Sequence, residues 1–456
     1  MSERNYDVVV LGAGPPGEVC AGRLAEAGLS VAIIEPHLVG GECSYYACMP
    51  SKALLRPGEL LEEARRVPAV KEAVTGGLDV KVALERRDEV IHDLDDSVQL
   101  PWLEERGIEL FRGEGRLDSE LRVAVGDETL VATKAVVVAT GSAAAMPPIE
   151  GLDSVGAWNN RDGTTSKQAP ESMIVLGGGP VGVELAQAWS TLGTSVILVE
   201  GERGLLPREE PFAGEQVEDS LRDNWGVEVR CACKAKRLRR EGSKILAGLD
   251  DGDEVEAAEL LVAVGRKART EGIGLESLGI EPDGFLEVDD ALRVPGRDWL
   301  YAVGDVNGRA LFTHMGKYQA WVAAERILGR DAEASAEAIG SPRVTFTDPQ
   351  VAAVGKTLAQ AEAEGLNVSA TDVGTDATAG ASFYGKGTGG TSRIVVDEDR
   401  KLIVGATFVG FETAEFLHAA TVAVVGEVPL ERLRHAVAAY PSRSEVWLKL
   451  LEAYGL

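Results

Sequence analysis

Residues 7–17 read DVVVLGAGPPG, an apolar run that passes straight into Gly12, Gly14 and Gly17 in G-x-G-x-x-G spacing. A helix pattern follows over residues 18–27 and stops at Gly28, and a second apolar run over residues 31–34 ends in Glu35. Strand, glycine turn, helix and strand make a βαβ unit. The helix N-terminus offers unpaired N–H groups and a positive dipole end to a pyrophosphate, and the acid at the second strand's tip accepts from ribose hydroxyls. The unit occurs twice. At an offset of 165 residues come Gly177, Gly179 and Gly182, a helix pattern, Gly193, and an apolar run over residues 196–199 that ends in Glu200. Each acid stands 18 residues beyond the third glycine. One such glycine motif is weak, because turns of that spacing arise in many loops. Two in register with strand, helix, strand and acid predict two dinucleotide sites.

Outward from these units, residues 134–141 form an apolar strand ending in Thr140 and Gly141, and residues 260–265, LLVAVG, repeat that shape and end in Gly265. Both read as closing strands of a nucleotide-binding half, with Pro147 and Pro148 as the linker between them. Residues 300–305, LYAVGD, deliver Asp305 at a strand's carboxyl end, where ligands collect in open α/β sheets. From about Ser341 onward, strand patterns (393–396, 402–409) alternate with a helical one (415–425), which predicts a separate α+β domain.

A chain of 456 residues is too long for one compact core. Its 45% hydrophobic and 26% charged content is globular, which excludes disorder and fibrous repeats. The net charge of −27 opposes non-specific binding to nucleic acid or anionic lipid. No run approaches the roughly 18 apolar residues of a membrane span, and residues 1–6 are polar without the layout of a signal peptide, so the cytoplasm is the expected compartment. Five cysteines in so long a chain do not form a secreted disulfide framework, which leaves local redox chemistry at Cys43 and Cys48.

Those two lie in GGECSYYACMPSK, residues 40–52, with four residues between the thiols. On a straight helix, residues i and i+5 are roughly 8–9 Å apart, beyond disulfide reach, so a bond needs a distorted turn. Zinc is disfavoured because no third or fourth ligand is nearby, and no metal site is expected elsewhere. Taken alone, the pair reads equally well as two incidental thiols. Cys20 reads as a small core residue of the first helix. Cys231 and Cys233, one residue apart in a strand pattern, are not expected to pair with each other.

The motifs do not stand alone. The first fingerprint, GGxC followed by xxxxCxPSK, the ATG strand, the second fingerprint with Glu184 in its helix, and Gly304-Asp305 together resemble the flavoprotein disulfide reductases. That group includes dihydrolipoamide dehydrogenase, glutathione reductase and mercuric reductase. FTDPQVAAVG (346–355) and GATFVG (405–410) resemble its dimerisation domain, so the likeness covers essentially the whole chain. It implies an α/β fold of two Rossmann-like domains, for FAD and NAD, and a C-terminal α+β dimerisation domain. The boundaries expected are 1–147 and 271–340 for the two parts of the FAD and central domain, 148–270 for the NAD domain, and 341–456 for dimerisation. The resemblance assigns Gly12, Gly14, Gly17, Glu35, Thr140, Gly141 and Asp305 to FAD, with Asp305 on the ribityl chain. Gly177, Gly179, Gly182, Glu200 and Gly265 fall to NAD. Cys43 becomes the outer thiol facing substrate and Cys48 the inner thiol against the flavin. Lys52 and Glu184 match an ion pair beside flavin N5, where a fixed ammonium stabilises developing negative charge; without the resemblance, Lys52 reads as an ordinary solvated lysine.

The C-terminal stretch departs from the group. Its members carry a His-Pro followed by a Glu, the acid/base that reaches the partner subunit's site, whereas residues 439–445 here read AYPSRSE. Tyr440 stands in the histidine's place, before Pro441 and Glu445. His435, in a helical pattern five residues earlier, reads as a surface or core-edge residue. A phenol titrates near 10 against about 6.5 for imidazole, so it is a poor general base near neutral pH, though it still donates a hydrogen bond. The group's turn implies a cis Tyr440-Pro441 bond. Tyr45 and Tyr46 read either as a stacking surface for a planar acceptor or as ordinary packing.

The sequence therefore predicts a homodimeric FAD enzyme that passes electrons from NADH to the Cys43-Cys48 disulfide and on to a disulfide or other acceptor. Glu200 favours NADH over NADPH, with Arg203 softening that preference. A diaphorase-type NADH:quinone reductase is the rival, and a non-catalytic thiol sensor the third reading. Mercuric reduction is disfavoured, since the chain opens without a metal-binding module and closes on Gly455-Leu456 without a cysteine pair.

Overall fold

The computed structural model describes residues 2–456. The chain divides into two units, one built from residues up to Pro50 with Asp88–Ala145 and Arg266–Glu337, the other from Ser51–Arg87, Met146–Gly265 and Ala338–Leu456.

In the first unit the strand Ser2–Leu11 runs parallel to Val31–Glu35 on one side and Glu128–Val138 on the other. Glu109–Arg112 extends the sheet beyond Val31–Glu35. The long strand Glu128–Val138 pairs antiparallel with Arg122–Val125 in its first half and parallel with Leu300–Ala302 in its second. The apolar run is continuous because both faces are covered. Val8 and Val10 enter one core with Cys20, Leu24 and Val322, while Val9 and Leu11 enter the other with Leu117, Val123 and Ile273. The helix after the first glycines spans Pro15–Glu26, three residues earlier than the pattern suggested, because Pro15 and Pro16 occupy its opening positions, where a missing N–H is tolerated. Cys20 is fully buried in it.

The second unit repeats the arrangement. Strands Glu228–Arg230, Ser195–Val199, Ser172–Leu176 and Glu259–Val262 lie side by side, all parallel. The helix Pro180–Thr191 buries every residue from Gly182 to Trp189 beside them. Leu54, Leu55, Ala83 and Leu84, from Ser51–Arg87, join the core around Trp189. The C-terminal part is a five-stranded antiparallel sheet whose core includes Phe416, Ala420, Trp447 and Leu450 of the helices Ala414–Val425 and Val446–Tyr454.

Three local expectations change. Cys231 and Cys233 are not in a strand: pairing stops at Arg230, and Ala232 with φ of 57° turns the chain away. Their sulfurs face Glu218 and the Arg230 carbonyl. His435 lies in a turn just past the short helix Leu430–Leu433 and is exposed, because that helix ends after one turn. The strand that delivers Asp305 stops at Ala302, and Asp305 opens a single 3₁₀ turn.

Candidate active site

The two glycine fingerprints fold alike. A Cβ at Gly17 would run into the carbonyl oxygen of Gly12, and one at Gly182 into that of Gly177, so the third glycine of each motif is required by the chain itself. Gly14 and Gly179 differ: a Cβ there meets no protein atom within 4 Å. Each is the N-cap of its helix, has an extended backbone and makes no side-chain cap. Space over an uncapped helix N-terminus fits a pyrophosphate in both units. The acids behave alike as well. Glu35 accepts the N–H groups of Ala13 and His37, both at 2.9 Å. Glu200 accepts those of Gly178 and Glu202. Each carboxylate is thereby fixed at its strand tip with lone pairs left for a ribose. The repeats differ at Pro16, which deletes an N–H that Val181 keeps in the second unit.

Cys43 and Cys48 lie on successive helices, Gly41–Tyr45 and Cys48–Arg66, with the break at Tyr46 and Ala47. That break brings the two sulfurs to 2.6 Å, the Cys43 thiol donating to Cys48. The Cys43 thiol is held far above its ordinary range, first by this hydrogen bond and then by burial. Thr313 Oγ1 lies 3.4 Å from the Cys48 sulfur. Tyr45 is buried and has no face to offer a planar acceptor; Tyr46, its neighbour in ring contact, is partly exposed.

In the second unit Lys52 Nζ donates to Glu184 Oε2 at 2.7 Å. Glu184's other oxygen accepts the Phe346 N–H at 2.9 Å, and the Phe346 ring lies 4.7 Å from the Lys52 ammonium. One helical turn on, Gln187 accepts the Asp348 N–H. The FTDP stretch is thus clamped to the helix that starts at the second fingerprint.

Asp305 accepts from the Ser142 hydroxyl at 2.5 Å, and Arg266 donates to that same hydroxyl at 2.6 Å. The Thr140 hydroxyl donates to the Arg269 carbonyl, tying the ATG turn to the strand Arg266–Ala268. Gly141 and Gly265 both have positive φ, as sharp turns at the ends of closing strands require. Tyr440-Pro441 is cis, and Tyr440 is 77% exposed. Glu445 accepts the Ser442 N–H in a capping box that starts the next turn, so within its own chain it serves the backbone. Thr313, Ser142 and Arg266 were not singled out in the sequence, and Phe346 was read only as the start of a dimerisation motif. Ser142 and Arg266 had a signal, each lying directly after a glycine that ends a closing strand; Thr313 and Phe346 act through contacts that spacing does not encode.

Among the described residues no helix is long and apolar enough to cross a membrane. Residues 6–327 match the family described as pyridine nucleotide-disulphide oxidoreductase, and residues 341–451 match its dimerisation domain. The chain is 30% identical over 457 residues to the dihydrolipoyl dehydrogenase of Chlamydia muridarum, covering 97% of this chain and 95% of that one. It is 29% identical to a mercuric reductase of Staphylococcus aureus, covering 97% and 81%. The solved structure of the HOCl-induced flavoprotein disulfide reductase RclA from Escherichia coli superposes with a TM-score of 0.86 at 24% identity, over 98% of this chain and 99% of that one. With its two nucleotide units, its adjacent thiols and its dimerisation domain, the chain belongs to the pyridine nucleotide-disulphide oxidoreductase family and is an FAD- and NAD-dependent oxidoreductase of the dihydrolipoyl dehydrogenase type.

Proposed function

We propose that the protein is a homodimeric NADH-dependent reductase of a small disulfide, working through Cys43 and Cys48. The 2.6 Å approach of the two sulfurs carries this reading. When bound, FAD and NADH supply the hydride and two-electron chemistry. Gly12, Gly14, Gly17, Glu35, Thr140, Gly141 and Asp305 would hold FAD, and Gly177, Gly179, Gly182, Glu200 and Gly265 would hold NADH. Lys52, fixed by Glu184, supplies a positive charge that needs no reorganisation as negative charge develops near it. Cys48 would be the inner thiol against the flavin and Cys43 the outer thiol that meets the acceptor, the two sulfurs lying 2.6 Å apart. The exposed phenol of Tyr440 reaches outward from the dimerisation segment, where a second copy would meet it, and can donate a hydrogen bond there.

Anaerobic NADH titration of the purified protein, followed by lipoamide, glutathione disulfide and quinones as oxidants, tests the reading. A long-wavelength thiolate-to-flavin absorbance at two electrons, lost in Cys48→Ser and kept in Cys43→Ser, is the expected result. Absence of that absorbance, with quinone as the sole effective oxidant, would establish the diaphorase reading instead. The exposed Tyr440 in the place of a base is the observation that favours that second reading.

A further inference from the structure

The helix Cys48–Arg66 carries a line of charge on the side that meets the helix Pro180–Thr191. Lys52, Glu59 and Arg66 follow one another at seven-residue spacing, about two turns each time, which puts them on one face. The outer two are paired, Lys52 with Glu184 and Arg66 with Asp348, whose N–H is held by Gln187. Between these pairs the two helices touch, since a Cβ at Gly58 would lie 2.2 Å from Thr191 Cγ2. Glu59 is the next residue, and its side chain is only 13% exposed. Among the described residues its one hydrogen-bond partner is Arg56 Nη1, at a long 3.4 Å, and Arg56 is itself half exposed. The charged groups that face Glu59 from other elements are both carboxylates, Glu184 on the helix Pro180–Thr191 and Asp348 in the FTDP stretch. Burial pushes the Glu59 carboxyl up to about 7; Arg56 opposes that, and Asp348 and Glu184 add to it.

We propose that Glu59 is a positioning residue for the charge at Lys52: as the neutral acid it leaves the ammonium to Glu184 and the flavin, and as the carboxylate it opposes negative charge developing beside Lys52. The inference rests on the reading of Lys52 and Glu184 as the pair beside the flavin. Seven residues of helix rise about 10 Å. Across that distance, at an effective dielectric near 20, a unit charge shifts an equilibrium by about tenfold, and salt reduces that figure. The coupling is reciprocal, so negative charge arriving beside Lys52 strengthens the hold of Glu59 on a proton. That proton comes from solvent and forms one O–H bond on the Glu59 carboxylate; the electrons come from NADH, and no other bond at Glu59 changes. Lys52 and Arg66 alone would give the helix face two fixed ion pairs. Glu59 between them gives it a group that answers to pH and to the arrival of electrons.

The test uses the FAD-loaded protein carrying Cys43→Ser and Cys48→Ser, so that the thiol pair does not compete for electrons, equilibrated anaerobically with an indicator dye of known potential. At a fixed dye potential the ratio of reduced to oxidised flavin in Glu59→Gln should match the parent near pH 5.5 and exceed it by about 3- to 10-fold near pH 8.5. Lys52→Met should lower the ratio at both pH values. Denaturant melts of the apoprotein follow the proton without the flavin. The folded chain holds it more tightly than the unfolded one, so Glu59→Gln should raise the unfolding midpoint near pH 8.5 and leave it unchanged near pH 4. Flavin ratios that stay equal across the pH range, or differ by one constant factor, overturn the role of Glu59. Melts that respond alike at both pH values show that Glu59 does not titrate and overturn it too. An unchanged flavin ratio in Lys52→Met overturns instead the placement of Lys52 beside the flavin.

Discussion

Replacing Gly14 and Gly17 by alanine separates what the first fingerprint does for the chain from what it does for a ligand. At Gly17 the new methyl meets the Gly12 carbonyl oxygen, a backbone atom that cannot rotate aside. Overpacking of that kind costs about 3 kcal/mol. For a unit of this size that is a fall in Tm of roughly 6–12 °C. At Gly14 two small effects oppose each other. Alanine is a poorer N-cap than glycine by about 1 kcal/mol, and it restricts the unfolded chain by about 0.4–1 kcal/mol in the other direction. The backbone there, φ −72° and ψ 174°, suits alanine, and no protein atom lies within 4 Å. The apoprotein Tm of Gly14→Ala should therefore stay within a few degrees of wild type. Its FAD affinity should not, because a pyrophosphate seated over Gly14 would compete with the methyl and lose at least one charge-assisted hydrogen bond, a loss of about 10- to 100-fold. Thermal melts of apoprotein and quenching of FAD fluorescence on titration measure the two effects separately. A Gly14→Ala apoprotein that melts as low as Gly17→Ala, or that binds FAD within threefold of wild type, refutes the placement of the pyrophosphate over Gly14.

Tyr440→His should raise lipoamide-linked turnover by up to roughly 10²- to 10⁴-fold near neutral pH and leave quinone reduction nearly unchanged; no gain, with wild-type lipoamide turnover already matching quinone turnover, shows that another group carries the proton. Glu200, held by the Gly178 and Glu202 N–H groups, cannot swing away from a 2′-phosphate, so kcat/KM should be at least about tenfold higher for NADH than for NADPH. Equal values in steady-state kinetics would make the assignment of Glu200 wrong. Burial, reinforced by Glu35 and opposed by Lys317, raises the Glu18 carboxyl from 4.5 to about 7. The folded chain then binds this proton more tightly than the unfolded one, so stability falls as pH rises from about 4.5 to 7 and the full penalty stands above 7. Glu18→Gln should stabilise the apoprotein by about 1–3 kcal/mol at pH 8 and by nothing near pH 4; denaturant melts giving the same gain at both pH values would show that Glu18 is not the titrating group.

The parts of this fold legible in the sequence are those written in local chemistry. Glycine spacing, an apolar run and an acid at a fixed distance specify a βαβ unit wherever they occur, and the repeat doubled the signal. The cysteine pair was readable as needing a broken helix, and the break falls at Tyr46 and Ala47. What was not readable depends on approach between distant segments. Thr313 meets Cys48 across 265 residues of sequence, and Phe346 donates to Glu184 across 162. Neither residue type is distinctive, and no periodicity links them. The misread strand at Cys231 and Cys233 has the opposite cause: alternation was present, but a left-handed Ala232 removed the partner that would have made it a strand.

The helix Pro180–Thr191 joins two of these observations. Its N-terminus is the seat proposed above for the nicotinamide dinucleotide, and its flank is bolted at three successive points. Glu184 holds Lys52 and Phe346, Gln187 holds Asp348, and Thr191 fills the notch left by Gly58. A rail fastened at those points resists sliding and tilting. If the coenzyme sits at that N-terminus, its exchange would fall to the mouth of the site, where Val181 is exposed, while Glu184 holds the Lys52 ammonium in place. The cost of orienting that charge is met once, during folding.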